Sequence, residues 1–262
     1  MSAQTARTSA RAAGTQIRSV SRAARILDFL ARQGEGRSAT ETAAALEIAV
    51  PTVYHLLNTL AAEGLVAKDS RRRYHLGPQI GLLSDAFRNE LSPPEYLVAP
   101  LHQLSESTGE TVYLSAWRHG EIAVLAAIEG DGPVHVRGPH VGMSGFAHAR
   151  ASGKLLLAFA APAEREAYLS THTLERLTPR TVVDPDKLSA ELDLAARRGY
   201  ALDLEEFRED VRCVAAPVLE AEMAIAAYTI SAPANRFRLR RAELIDAVRS
   251  AAASVSLPAH RD

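Results

Sequence analysis

SATETAAALEIAVPTVYHLLNTLAAEGLVAKDSRRRYHL, from Ser38 to Leu76, reads as a helix, a turn, a second helix and a basic hairpin, the element order of a winged helix-turn-helix. The first helix opens at Ser38-Ala39-Thr40-Glu41, where the serine hydroxyl caps a free backbone N–H and the glutamate reaches back to do the same. Pro51 marks a second start, because the first turn of a helix has no use for its N–H. From there Val53, Leu56, Leu57 and Leu60 recur at helical spacing and form an apolar stripe, while Thr52, Tyr54, His55, Asn58 and Thr59 point elsewhere. Gly64 ends that helix, Leu65-Val66-Ala67 reads as a strand, and Arg71-Arg72-Arg73 precede its return at Tyr74-His75-Leu76. Groove entry needs a helix with polar side chains at its exposed N-terminal half, and phosphate anchoring needs cations beside it. Duplex DNA is therefore the expected partner, with Ser38, Thr52, Tyr54, His55, Asn58, Arg71, Arg72 and Arg73 as candidate contacts.

Charge is distributed to match. The 262 residues carry a net charge of −1. Residues 1–92 hold 12 Lys/Arg against 8 Asp/Glu, whereas the remainder holds 18 against 23. A cationic N-terminal segment attracts phosphates and an acidic C-terminal one avoids them. With 47% hydrophobic residues the chain has material for two cored domains. One cysteine excludes an internal disulfide framework and zinc-finger spacings, so a reducing cytoplasm without a metal or other cofactor is the expectation. No apolar run approaches the ~18 residues of a membrane span. Residues 1–16 lack the apolar core of a signal peptide and read as a flexible basic arm.

The remaining segments complete an α+β chain. Ser19–Arg32 is an amphipathic helix carrying Val20, Ala23, Ala24, Leu27, Leu30 and Ala31 on one face. Ile80, Leu82, Leu83, Phe87 and Leu91 are spaced for a linker helix before Pro93-Pro94, and its apolar surface calls for a partner, either an identical helix of a second subunit or the rest of the chain. Beyond it come a helix from Tyr96 to Thr108 ended by Gly109, then a meander of Thr111–Trp117, Ile122–Ile128 and Val134–Arg137. Helices follow at Ser152–Phe159, Ala163–Leu169 and Pro185–Arg198. Val214–Leu219 and Met223–Ile230 are strands joined at Glu220-Ala221-Glu222, and a closing helix runs from Phe237 to about Ser254. The organisation is an arm at 1–16, a winged helix-turn-helix at 17–77, a linker helix at 78–94, a sensor-like domain at 95–255 and a tail at 256–262.

Seven stretches, in order, resemble the IclR family of bacterial transcription regulators. They are Arg18-Ser19-Val20-Ser21-Arg22-Ala23, Val53-Tyr54-His55-Leu56-Leu57, Arg73-Tyr74-His75-Leu76-Gly77-Pro78, Thr108-Gly109-Glu110-Thr111-Val112, His148-Ala149-Arg150-Ala151-Ser152-Gly153-Lys154, Gly199-Tyr200-Ala201-Leu202-Asp203 and Val211-Arg212-Cys213-Val214-Ala215-Ala216-Pro217. The resemblance implies a homodimer or tetramer on a palindromic operator, an α/β GAF-like effector-binding domain with an antiparallel sheet, and a small metabolite that changes the grip on DNA. It also implies an effector pocket at Ala151 and Ser152, Asp203, Cys213, Thr229 and Ser231, with Met143 among the candidate contacts. Backbone N–H groups at the start of the helix carrying Ser152 favour a carboxylate, so a small organic acid is the expected ligand. The competing reading is a thiol enzyme with Cys213 as nucleophile and His148 or His172 as base. A thiol running into Val214-Ala215-Ala216-Pro217 suits a buried strand better, and no GxSxG, phosphate loop or HExxH accompanies it. A winged helix used only for protein contacts would not need the arginine tip.

Overall fold

A computed structural model describes residues 17–131, 139–221 and 223–256, and the chain divides into two compact units, Met1–Phe87 and Arg88–Asp262. The expected arm at 1–16, the third meander strand at 134–137 and the tail beyond Ser256 lie outside the described residues.

The first unit contains α1 (Arg18–Ala31), α2 (Ala39–Leu46), α3 (Val50–Ala62), β1 (Val66–Lys68) and β2 (Tyr74–Leu76). The capping box forms as the sequence predicts: Ser38 Oγ accepts from Glu41 N–H and the Glu41 carboxylate accepts from Ser38 N–H at 2.7 Å. Val53, Leu57 and Leu60 of α3 pack against Ile26 and Leu30 of α1, Ala43, Val66 and Tyr74. The buried face of α1 differs from the expected stripe. It runs along Ala23, Ile26, Leu27 and Leu30, while Val20, Ala24 and Ala31 are exposed. At about 100° per residue these three lie roughly 120–160° around the helix from Ile26, outside the arc that α3 covers. Tyr74 also exchanges backbone bonds with Arg37, so a third chain segment joins the hairpin. Gly64, with φ +71°, turns out of α3, and a Cβ at Gly77 would collide with the Gly64 carbonyl.

α4 (Pro78–Leu91) follows, and the boundary between the units falls within it. The second unit is built on an antiparallel sheet in the order β4-β3-β7-β6-β5, from β3 (Thr111–Arg118), β4 (Glu121–Ile128), β5 (Ala201–Leu204), β6 (Val211–Glu220) and β7 (Met223–Pro233). α5 (Glu95–Thr108), closed by Gly109 at φ +69°, and α10 (Arg241–Val255) cover one face. α6 (Ala151–Phe159) and α8 (Pro185–Arg198) cover the other, with α7 (Pro162–Thr171) contributing Tyr168. Strand alternation sorts the side chains: Val214, Ala216 and Val218 join the α5/α10 core, and Cys213 and Ala215 join the α6 core.

Two expectations need correction. The closing helix is broken at Arg240 into α9 (Ala234–Leu239) and α10. Phe237 is buried in the sheet core, while the Arg240 guanidinium is drawn to Thr108 O and the buried Glu110 carboxylate, so the chain changes direction between them. β5 was not expected as a strand; four residues are too few to show a period, and its existence depends on pairing with β6.

Replacing Ser38 by alanine removes one half of the cap while leaving a residue of high helix propensity, and is expected to cost about 1 kcal/mol of stability in the N-terminal unit. Urea denaturation followed at that unit reads the loss, and an unchanged midpoint would show that water caps α2 equally well.

Candidate functional site

Two surfaces of chemical interest emerge, one in each unit. In the first, α3 presents Tyr54, His55 and Asn58 to solvent, with Thr52 half-buried at its first turn. Thr59 spends its hydroxyl on His55 O within the helix. Lys68 at the end of β1, a cation the sequence reading passed over, sits 6.0 Å from the Tyr54 ring centre and 5.2 Å from that of Tyr74. Its position beside the helix comes from hairpin register, which no local motif announces.

Between β1 and β2 the Asp69 carboxylate organises the turn. Its Oδ1 accepts from Arg71 N–H and Arg73 N–H, its Oδ2 lies 3.1 Å from His75 Nε2, and these bonds, led by that from Arg73, hold the carboxyl below its ordinary range. Arg72 takes the left-handed conformation at φ +63°, and the side chains of Arg71 and Arg72 are exposed. Arg73 behaves differently. Its guanidinium donates to Gly36 O at 3.0 Å and pairs with Glu35 at 3.7 Å and Glu41 at 4.0 Å. Among the described residues the side chains of Arg71 and Arg72 have no partner, whereas Arg73 ties the hairpin to the start of α2. Ser38 is likewise occupied with its cap.

In the second unit, register brings Asp203, Cys213, Thr229 and Ser231 onto one face of the sheet. Asp203, Cys213, Ser231 and Thr111 form one rung across β5, β6, β7 and β3, and Ala201, Ala215, Thr229 and Tyr113 form the next one on the same face, two residues along. The α6 N-terminus, with Ala151 and Ser152 fully buried, packs over this face. Cys213 Sγ lies 3.3 Å from Ser231 Oγ. The Met143 carbonyl accepts from Val124 N–H, which sets it beside β4 at the opposite edge of the sheet from β5.

Burial dominates the electrostatics. It pushes the Asp203 carboxyl up to about 7, against the two backbone N–H groups of Glu206 and Phe207 that Oδ1 accepts. Burial, reinforced by Asp203, raises the Cys213 thiol far above its ordinary value. A nucleophilic thiol needs the opposite shift. The proposed bases are engaged elsewhere, His148 with Glu175 O and His172 with Glu121 Oε1 and the Tyr168 ring. Lys154, only 2% exposed, is neutralised by Glu206 at 2.6 Å and Glu191 at 2.8 Å and thereby fastens α6 to the loop after β5 and to α8.

Three residues were not singled out by sequence reasoning. Tyr113 lies within electrostatic reach of Cys213, Asp203 and Arg150. Ser115 Oγ on β3 is buried and unpartnered, as are Ser152 Oγ and Thr229 Oγ1. Arg150, at the N-cap of α6, is 2% exposed and donates from Nη2 to Ile122 O at 2.7 Å. A single arginine inside Phe146-Ala147-His148-Ala149-Arg150-Ala151 was the available signal, since a guanidinium in a run of small apolar residues must be either exposed or paired.

Known proteins provide a context for both surfaces. The model of the IclR helix-turn-helix domain matches residues 19–70, and that of the bacterial transcriptional regulator IclR C-terminal domain matches residues 96–257. The HTH-type transcriptional regulator BhcR of Paracoccus denitrificans is 36% identical over 243 residues, 92% of this chain and 86% of that protein. The glycerol operon regulatory protein of Streptomyces griseus is 32% identical over 246 residues, 92% and 95% respectively. Among solved structures, the IclR of Thermotoga maritima superposes with a TM-score of 0.68 at 26% identity, covering 92% of this chain and 98% of that one. The relatives named here are regulators, and none is named as an enzyme.

The raised Asp203 carboxyl has a stability consequence. The folded chain holds this proton up to about pH 7, whereas the unfolded carboxyl releases it near its ordinary 3.8, so stability falls as pH rises through that window. Glu206, raised by burial, acts in the same direction; His148, lowered by burial, acts in the opposite one. Urea midpoints measured from pH 5 to 7.5 are expected to decline, and Asp203→Asn, which keeps the acceptor oxygen, should remove most of that decline. A variant with the wild-type slope would assign the dependence to other groups.

Proposed function

As the chain belongs to the IclR family, with a helix-turn-helix DNA-binding domain followed by a C-terminal effector domain, it is a transcriptional regulator, and we propose that it represses a catabolic operon by holding a palindromic operator as a homodimer or tetramer. The observation that carries the DNA contact is the exposure of Tyr54, His55 and Asn58 on α3 next to an arginine-tipped hairpin. In this reading α3 enters the major groove, where Asn58, His55, Tyr54 and Thr52 meet base edges, and Arg71 and Arg72 take flanking phosphate or minor groove. Lys68 adds a third cation on the same side as Tyr54.

Oligomer formation is supported by α4, on which Leu82, Leu83 and Phe87 are 63%, 53% and 45% exposed. Such a surface is more stable covered, and a two-fold partner would pair it with itself while presenting two reading helices about one or more helical turns apart. The relative named for a glycerol operon supports control of a metabolic operon here. A small organic acid lying between α6 and the Cys213 face would alter the grip on DNA only by preferring one arrangement of the chain over another. In this reading the protein works in the cytoplasm, where bacterial DNA lies.

The test is binding of the purified protein to DNA from upstream of its own coding sequence, with unrelated DNA competing and salt varied. Tight binding that survives competition is expected. Arg71→Ala and Arg72→Ala are each expected to weaken it and to lower the salt slope by about one, since each removes about one phosphate contact. Unchanged slopes would remove the hairpin from the interface, and absence of binding at low salt would overturn the DNA reading.

A further inference from the structure

The α6 face of the sheet contains a buried cation that, among the described residues, has no anion paired with it. Arg150 is 2% exposed, and of its three guanidinium nitrogens only Nη2 has an acceptor, Ile122 O, while Nε and Nη1 have none. Among the described residues no carboxylate stands within 4.0 Å of it, and residues 132–138 contain neither Asp nor Glu. The groups felt most strongly are the phenols of Tyr113 and Tyr168, both raised by burial and neutral at pH 7, followed by Glu121. Glu121 directs Oε1 to His172, and its Oε2 is buried without a partner. Asp203 is held largely protonated up to about pH 7, and Glu206 is matched to Lys154.

Buried hydroxyls lie on the same sheet face and at the start of the same helix. Ser152 Oγ at the start of α6, Ser115 Oγ on β3 and Thr229 Oγ1 on β7 are all buried without partners. By strand alternation Ser115 and Thr229 face α6, as Tyr113 does. Three unpartnered hydroxyls and a guanidinium with two of its three nitrogens unbonded, all buried at the start of α6 and on the sheet face it covers, are costly unless a bound molecule completes them.

We propose that Arg150 is the counter-charge for the effector, which is accordingly a carboxylate anion seated between the start of α6 and strands β3 and β7. This rests on the reading of the C-terminal unit as an effector domain and specifies what that unit selects. The guanidinium neutralises the carboxylate, and the Ser115, Ser152 and Thr229 hydroxyls donate to its oxygens or to an adjacent hydroxyl or carbonyl of the ligand. A neutral molecule of the same shape leaves the charge unmatched and is rejected.

The experiment compares the full-length wild-type protein with Arg150→Met and Arg150→Lys, using glycolate, succinate and benzoate as probes, each beside its amide, with affinities from calorimetry and melting temperatures from scanning fluorimetry. At least one acid is expected to bind and raise the wild-type melting temperature while its amide does neither. R150M is expected to weaken that acid at least tenfold, and R150K, which keeps the charge, to weaken it less. Without ligand, R150M should melt no lower than wild type, because the guanidinium it removes had no anion. Acids that bind no better than their amides overturn the proposal, as does R150M binding an acid like wild type. An R150M that melts well below wild type or fails to fold makes the arginine structural, with Glu121 as its partner. Wild-type protein that binds no promoter DNA would sink the regulator reading separately, while the acid-against-amide comparison would still report on the anion site.

Discussion

The hydrogen-bonded register running from β5 through β6 and β7 to β3 is the constraint on which the C-terminal unit depends. Asp203, Cys213, Ser231 and Thr111 are drawn from distant parts of the chain and share one rung. A one-residue slip would send all of these side chains to the α5/α10 face, where Val214, Ile230 and Tyr228 now fill the core. Apolar packing on that face is therefore what holds the polar groups on the other. Their cost is tolerated because more than twenty buried hydrophobic residues on the far side specify the register.

α6 completes this face and depends on it. Gly153 allows the helix to lie against Ala147, where a Cβ would meet backbone. Lys154 then anchors it through two carboxylates, one of them on the loop that positions Asp203. The buried lysine has its anions, and among the described residues the buried arginine four residues earlier has none. That difference between two cations on the same helix start is the observation on which the proposed anion site rests.

In the N-terminal unit the same economy governs the arginines. Asp69 folds the turn by accepting two backbone N–H groups, and Arg73 closes it on Gly36, Glu35 and Glu41. Arg71 and Arg72 carry charge with no internal duty. A tip that is preorganised by its own acid and anchored by one arginine loses little freedom on meeting phosphate.

Local signals were sufficient for all the expected helices but the last, and for the hairpin. The capping box at Ser38, the glycines at 64, 109 and 199, Pro51, and the stripe of Val53, Leu57 and Leu60 each act within a few residues, so the sequence by itself determined the winged helix-turn-helix, the two-unit organisation and the class of partner. It also named Asp203, Cys213, Thr229 and Ser231 as candidates, but only through resemblance. What tertiary structure alone decided was pairing: that β5 exists, that Arg240 interrupts the last helix, that Arg73 turns inward, that Met143 lies beside the opposite edge strand, and that Arg150 is buried without an anion. Each of these depends on a partner beyond the reach of a local motif, and the free energy of a buried charge or a shared rung is set by what surrounds it in space, which no spacing along the chain encodes.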